Sequence, residues 1–529
     1  MHKQKFYLFY LLGLLIFSVP QISAQTNWYV DKNANGSNTG TSLSNAWTSF
    51  SSINWTKIGT DGITDSIYIS AGTYNETLNI PPNKSNIVIA SIGKVIIDGQ
   101  NTRDFGINLS GGSYTNIKIY GFTVQNALYR LISITNASNY SPIKNVVVEA
   151  CSLYNYKSYG IFVEADGGGS EDDSYVTLKG NYLNDDNNFS GQSDGIYIQN
   201  LDSARVTRNT VINDNPTNPG SIDVDWHSDD LQTYRVNSII VDNNFLYMEN
   251  QYKGIGTQVL FTAEVFDRPG IHVYYNNVII RNVPNAYDWA IRTKGNDGKT
   301  VYILNNTYIG YGRVQGADCT GYLENNIFYA FPGSKWDSFS SIGASAERSH
   351  NLVYDENGSF GSMPGSVEDN PLFVNKSYKS FDGRLLSGSY AINSGKNIKT
   401  LVESFGLEWK DINGIARTST PNIGAFSKDG STTGISSTNE APNSFKLSQN
   451  YPNPFNPSTK IKFNLPSSNN VKLTIYDITG KEVTQLVNQE LAAGVHTVDF
   501  NASNLASGTY IYRIQAGSYV QSKKMILLK

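Results

Sequence analysis

The sequence predicts an all-β chain: a right-handed parallel β-helix over residues 25–427, followed by a small C-terminal β-sandwich over residues 443–529. Three observations point there. A short motif of alternating apolar residues around an Asn or small residue recurs along the chain without helical periodicity. Charged residues make up only 16%, while 46 Gly and 34 Tyr favour turns and strands over helices. The last segment drops the repeat and adopts ordinary strand alternation between turn motifs.

Residues 1–24 read as a secretory signal: Lys3 and Lys5, an apolar run from Phe6 to Val19, and a small residue, Ala24, before Gln25. No later stretch is long and apolar enough to span a bilayer. The 41 basic and 45 acidic residues give a net charge of −4, which supplies no basic excess for nucleic acid or an anionic membrane.

The repeat runs through Gly121, Cys151, Asn181, Asn209, Asn244, Asn277, Asn306 and Asn326, at intervals of 30, 30, 28, 35, 33, 29 and 20 residues. A constant motif at variable spacing means one coil per repeat, with loops of changing length. A coil cannot bury its apolar side alone, so neighbours must stack. Stacking predicts a column of Asn209, Asn244, Asn277, Asn306 and Asn326, whose side chains tolerate left-handed turns and bond to one another. Coils lie about 4.8 Å apart, so Cys151 and Cys319, several coils from each other, are expected as two free, buried thiols.

A second strand column lies upstream of each motif: 160–164, 195–199, 230–234, 258–262 and 290–294. Alternation sends Ile161, Ile196, Leu231, Val259 and Ile291 inward. It sends Phe162, Tyr197, Gln232, Leu260 and Arg292 outward, with Glu164, Gln199, Tyr234, Thr262 and Lys294 as a second outward column.

Trp28-Tyr-Val-Asp31, Ala46-Trp47, Asp65-Ser-Ile-Tyr-Ile69 and Ala71-Gly-Thr-Tyr74 resemble the start of pectate-lyase-like β-helix proteins, and Asp369-Asn-Pro-Leu-Phe373, Asp411-Ile-Asn-Gly414 and Asn422-Ile-Gly-Ala-Phe426 resemble their closing segment. That superfamily holds lyases, hydrolases, isomerases and non-enzymes, so the resemblance implies the fold and leaves chemistry to the site. Residues 428–442 are small and polar and read as a linker. Beyond it, Tyr451-Pro-Asn-Pro-Phe455, Thr479-Gly-Lys481, Ser507-Gly-Thr-Tyr510 and Lys523-Lys524-Met525 resemble the C-terminal sorting domain of type IX secretion. This implies engagement of that machinery, export across the outer membrane, and a secreted or cell-surface location.

The densest chemical candidate is Asp223-Val-Asp225-Trp226-His227-Ser-Asp229-Asp230, with Asp194 one coil earlier and Arg292 and Lys294 on a later one. Three readings stand. In the first, Asp194, Asp229 and Asp230, with Asp223 and Asp225, hold Ca²⁺, a hard cation that takes several oxygen ligands. Lys294 then acts as base, Arg292 neutralises a uronate and His227 is a second acid/base, giving β-elimination of an extracellular acidic polysaccharide. Trp226, Tyr197, Gln232 and Tyr234 would contact the sugar. In the second, Asp194 and Asp230 act directly, as the carboxylate pair of a polygalacturonase-like hydrolase. In the third, the Asp residues serve turns, and the protein is a non-catalytic glycan-binding or adhesion protein. The chain is expected to be a monomer.

Overall fold

The computed structural model describes residues 26–427 except 61, 137–140, 166–172, 186–192, 214–228, 249–257, 264–269, 283–288, 294–298, 311–312, 317–319, 332–346, 357–362, 364 and 378–380. It also describes 436–438 and 445–527 except 451–452, 454, 456, 467–468, 492–493, 503–504 and 518. Two units separate at Gly430/Ser431.

The first unit winds into a parallel β-helix with three faces. Face A includes Tyr114–Tyr120, Ile143–Glu149, Tyr175–Lys179, Ile271–Tyr275, Thr300–Leu304 and Thr320–Glu324. Face B follows each of these with a short strand, such as Ser152–Tyr154, Tyr182–Asp185, Thr210–Asn213, Phe245–Met248 and Val278–Arg281. Face C is built from strands such as Arg130–Thr135, Tyr159–Glu164, Gln258–Ala263 and Trp289–Thr293. Two long strands, Asp194–Thr207 and Asp229–Asp242, run through face C and turn onto face A at Asn200 and Arg235, both left-handed. The 29 strands pair in parallel from coil to coil. The interior is filled by β-branched and leucine columns such as Ile119, Val148, Leu178, Val206 and Val241. Burying each such side chain contributes about 1.5–3 kcal/mol.

The corner between faces A and B carries the expected asparagine column, and it is longer than expected. Asn181, Asn209, Asn244, Asn277, Asn306, Asn326 and Asn351 stack with each Nδ2 donating to the next Oδ1 at 3.0–3.1 Å. Each Oδ1 also accepts the backbone N–H of the preceding asparagine at 2.9–3.0 Å, and the top one, Asn181, accepts that of Cys151. The left-handed turn falls on the residue before each rung: Ala150, Gly180, Arg208, Asn243, Asn276, Asn305, Asn325 and His350. The two asparagine properties are therefore divided between neighbours in the chain, one turning and one bonding. One anchor moves by a residue, because the pairing of Tyr120 with Glu149 aligns Phe122, and not Gly121, with Cys151. Cys151 is a buried free thiol, and burial raises its pKa to about 11; Cys319 lies outside the described residues.

At the N-terminal end, Thr26–Val30 pairs in parallel with Asp65–Tyr74. Trp28 stacks on Trp47 at 5.3 Å and donates to Asp65 at 2.9 Å. Gly40 has φ +75, and a Cβ there would lie 2.5 Å from the Trp47 ring. At the other end, residues 372–427 fold back over the later coils. Phe373, Leu385, Ala391 and Ile423 cover Ile309, Tyr329 and Leu352 on the outside of face B. Ile398, Val402, Leu407 and Trp409 cover Val273, Tyr275 and Leu304 on the outside of face A. Hydrogen bonds fasten this segment at the asparagine corner, among them Arg417 to Asn276 at 2.7 Å and Asn325 to the Lys396 carbonyl at 2.8 Å. Among the described residues no helix is long and apolar enough to cross a membrane.

The second unit holds two four-stranded antiparallel sheets. Ser458–Leu465 alternates cleanly, burying Ile461, Phe463 and Leu465, and a core of Leu473, Ile475, Tyr512, Ile514 and Met525 completes it. Thr479-Gly-Lys481 closes a turn: the Asp477 carboxylate accepts the N–H of Thr479 and of Lys481, and Gly480 has φ +85. Ser436–Thr438, within the segment read as a linker, pairs with Gly494–Asn501 as an additional edge strand.

Candidate functional site

Face C is built as the alternation demands over its early coils. Ile132, Ile161, Ile196 and Leu231 pair in register and point inward, as do Ile134, Val163, Ile198 and Thr233. The intervening positions form the two outward columns, Ser133–Phe162–Tyr197–Gln232 and Thr135–Glu164–Gln199–Tyr234. One coil later the expected register is wrong. Leu231 pairs with Leu260, and Leu260 pairs with Ile291. Leu260 thus occupies the inward register column expected for Val259, and Thr262 falls in that of Thr233. The run Val259-Leu-Phe261 is apolar throughout, so alternation gives no parity there, and a one-residue slip exchanges the faces. Arg292 pairs with Phe261, which pairs with Gln232, so its register position is outward as expected.

The outward surface combines rings with polar ends. Tyr197 stacks on Phe162 at 5.2 Å and 3°, and Tyr159 meets them edge-on at 5.3 and 4.9 Å. The Arg130 guanidinium lies 3.4 Å over the Phe162 ring and donates to the Ser133 hydroxyl at 3.2 Å. Tyr197 donates to Gln199 Oε1 at 2.7 Å, and Gln199 Nε2 donates to the Glu164 carboxylate. Burial raises the Tyr159 phenol to about 12 and that of Tyr197 further still, so both remain neutral hydrogen-bonding groups. Arg130, Tyr159, Glu164, Tyr197, Gln199 and Tyr234 are half-exposed, whereas Gln232 is only 7% exposed. The Arg235 guanidinium lies 5.2 Å over the Tyr234 ring. Such a strip presents π-faces, amide and phenol donors, one cation and one carboxylate to a ligand lying across the coils.

The carboxylates lie below this surface. Stacking brings Asp194 to Asp229 as expected, with the Asp229 N–H donating to Asp194 Oδ1 at 2.9 Å. Asp194, Asp229 and Asp230 are all 0% exposed. Asp194 and Asp229 share the inward parity of Ile196 and Leu231, while the register position of Arg292 is outward. The expectation that these groups share one outward face therefore fails for Asp194 and Asp229, which begin their strands at the corner and are fully buried there. The structure adds two residues that the sequence pattern did not single out. Asp185 ends a face B strand and accepts from the Ser193 hydroxyl at 2.9 Å. Tyr156 is fully buried, and its phenol is raised well above its ordinary value by burial first and then by Asp185, Asp230 and Asp194. The only sequence signal for Asp185 was its place just before a long loop.

Asp230 is the outlier of the group: neither carboxylate oxygen has a hydrogen-bond partner among the described residues. Burial, with Asp194 as the second cause, raises its pKa well above the usual carboxylate range, which favours the neutral acid. Among the described residues no group of three His, Cys, Asp or Glu is placed to hold a metal ion. Asp223, Asp225, Trp226, His227 and Lys294 lie outside the described residues, and Arg292 is described only in its backbone.

No curated protein and no solved structure matches the chain. Residues 449–528 match the family described as the secretion system C-terminal sorting domain, so the chain carries a type IX sorting domain that sends it across the outer membrane, to be secreted or held at the surface.

Proposed function

We propose that this exported β-helix binds an extracellular acidic polysaccharide along face C. One observation carries the reading. Residues 372–427 cover the outer sides of faces A and B over the later coils, while on earlier coils face C offers half-exposed Glu164, Gln199 and Tyr234 in one register column, with Tyr197 in the column beside it and Arg130 paired with Tyr159. Sugar rings stack on aromatic faces, hydroxyls pair with amide and phenol groups, and a uronate carboxylate pairs with an arginine fork.

A catalytic form of this reading is supported by the register of Arg292, which continues the column of Tyr197 and Gln232. In it Arg292 neutralises the uronate, Lys294 removes the adjacent proton and His227 assists, with a Ca²⁺ ion held by Asp223 and Asp225 together with the carboxylates that follow them. Binding of polygalacturonate and alginate to the exported chain, with and without calcium, tests the proposal, with ultraviolet absorbance of unsaturated products followed in parallel. Binding that falls on Tyr197→Ala supports the face C reading, and absorbance adds elimination. New reducing ends without absorbance would point to hydrolysis, and no binding to either polymer overturns the proposal.

A further inference from the structure

One cavity bounded by described residues lies away from face C. It lies at the A–B corner, between the coil that ends in Arg208 and the returning segment 406–414, with a volume of about 510 Å³. That is within the roughly 300–1,000 Å³ usual for small-ligand sites. Its lining includes Arg205, Arg208, Asp242, Glu408, Lys410 and Asn413.

The carboxylates around it are already committed. Asp242 is 1% exposed and accepts Arg205 Nε at 3.0 Å, Thr207 Oγ1 at 2.8 Å and Asn243 Nδ2 at 2.8 Å. Asp411 accepts the N–H groups of Asn413, Ile415 and Ser427. Glu408 pairs with Lys410 at 3.1 Å. The Arg208 side chain is exposed and makes no hydrogen bond or ion pair among the described residues. It is a spare cation in the lining of the cavity, which Arg205 and Asn413 also line.

The backbone of Arg208 sharpens the point. Its φ is +57, in the turning position that is Asn in the four following coils: Asn243, Asn276, Asn305 and Asn325. Asparagine suits a left-handed turn better than arginine does. A residue poorly suited to its backbone, lining this cavity where the next turn supplies Asn243, points to a use for the side chain.

We infer that this cavity is a second saccharide subsite, in which the Arg208 guanidinium clamps the carboxylate of a uronic acid unit, Arg205 lends its outer edge, and Asn413 pairs with a hydroxyl. It is separate from face C and stands whether or not face C binds a polymer. Titration calorimetry of the full chain with digalacturonate, and with neutral cellobiose as control, tests it in the wild type, in Arg208→Asn and in Tyr197→Ala. Arg208→Asn gives this turn the residue type of the four turns that follow it, so the fold is retained and its unfolding temperature is equal or higher. Its digalacturonate affinity is expected to fall at least tenfold, while Tyr197→Ala retains the cavity's binding and cellobiose does not bind there. Unchanged affinity in Arg208→Asn, or cellobiose binding lost equally in that variant, overturns the inference. Failure of the face C reading shows separately, as polymer binding indifferent to Tyr197→Ala.

Discussion

Two corners of the same coil solve the problem of buried polar groups in opposite ways. At the A–B corner the ladder asparagines are buried, and each amide uses both ends: Asn277 donates to the Val241 carbonyl and to Asn306, and accepts from the Asn244 N–H. The ladder itself is neutral, repetitive and saturated; beside it the buried Asn305 amide is the exception, with no hydrogen-bond partner among the described residues. At the B–C corner Asp185, Asp194, Asp229 and Asp230 are buried together with Tyr156, and Asp230 makes no hydrogen bond with either oxygen among the described residues. An unsatisfied buried polar group costs about 1–3 kcal/mol. One corner holds the stack together, whereas the other retains groups that destabilise it. Sites that depart from the locally favourable choice are where function concentrates.

The largest expected effect follows from breaking the saturated ladder. Asn277→Ala removes the bonds that its amide makes to the Val241 carbonyl, the Asn244 N–H and Asn244 Nδ2, while Asn306 Oδ1 keeps the backbone N–H of residue 277, and should lower the unfolding free energy by about 3 kcal/mol. Chemical denaturation of the β-helix unit reads it. A loss below about 0.5 kcal/mol would mean that the ladder is ornamental to the stack.

At the B–C corner the sign should reverse. A carboxyl whose folded pKa is raised is most favourable to the fold below the unfolded value of about 4, and its contribution is lost as pH rises through the folded pKa. Asp230→Asn should therefore raise the unfolding temperature at pH 8, by the equivalent of about 1.4 kcal/mol for each unit of pKa elevation. The gain should shrink toward pH 4. Loss of stability at both pH values would instead show a carboxylate that is held charged by a partner, such as a cation.

The smallest effect is predicted at the A–B corner again. Arg208→Asn should stabilise by about 1 kcal/mol, because it relieves an arginine in a left-handed turn. A drop in unfolding temperature would mean that Arg208 holds the corner together.

The same contrast explains what could be read from the chain. Residues that repeat because a hydrogen-bond column demands them are visible in sequence, so the column from Asn209 to Asn326 followed directly. The outward columns through Phe162, Tyr197 and Gln232 were equally legible, because strict alternation fixes parity. Legibility ended at Val259-Leu-Phe261, where three apolar residues carry no parity, and at Asp194 and Asp229, where the strand enters from the corner. Arg208 was hidden because left-handed backbone usually announces itself as Gly or Asn. Asp185 and Tyr156 were hidden because their proximity depends on side chains from different faces meeting inside one coil.

The proposed function rests on face C as the ligand surface. The direct test is binding of polygalacturonate to the exported chain, compared between the wild type and Tyr197→Ala, with Asn470→Ala in the sorting unit as a control. Removing the Tyr197 ring takes away the stack on Phe162 and the phenol that bonds Gln199. The account predicts at least a tenfold loss of affinity, about 1.4 kcal/mol, with the fold retained and the control unchanged. Equal binding by the wild type and Tyr197→Ala would contradict it.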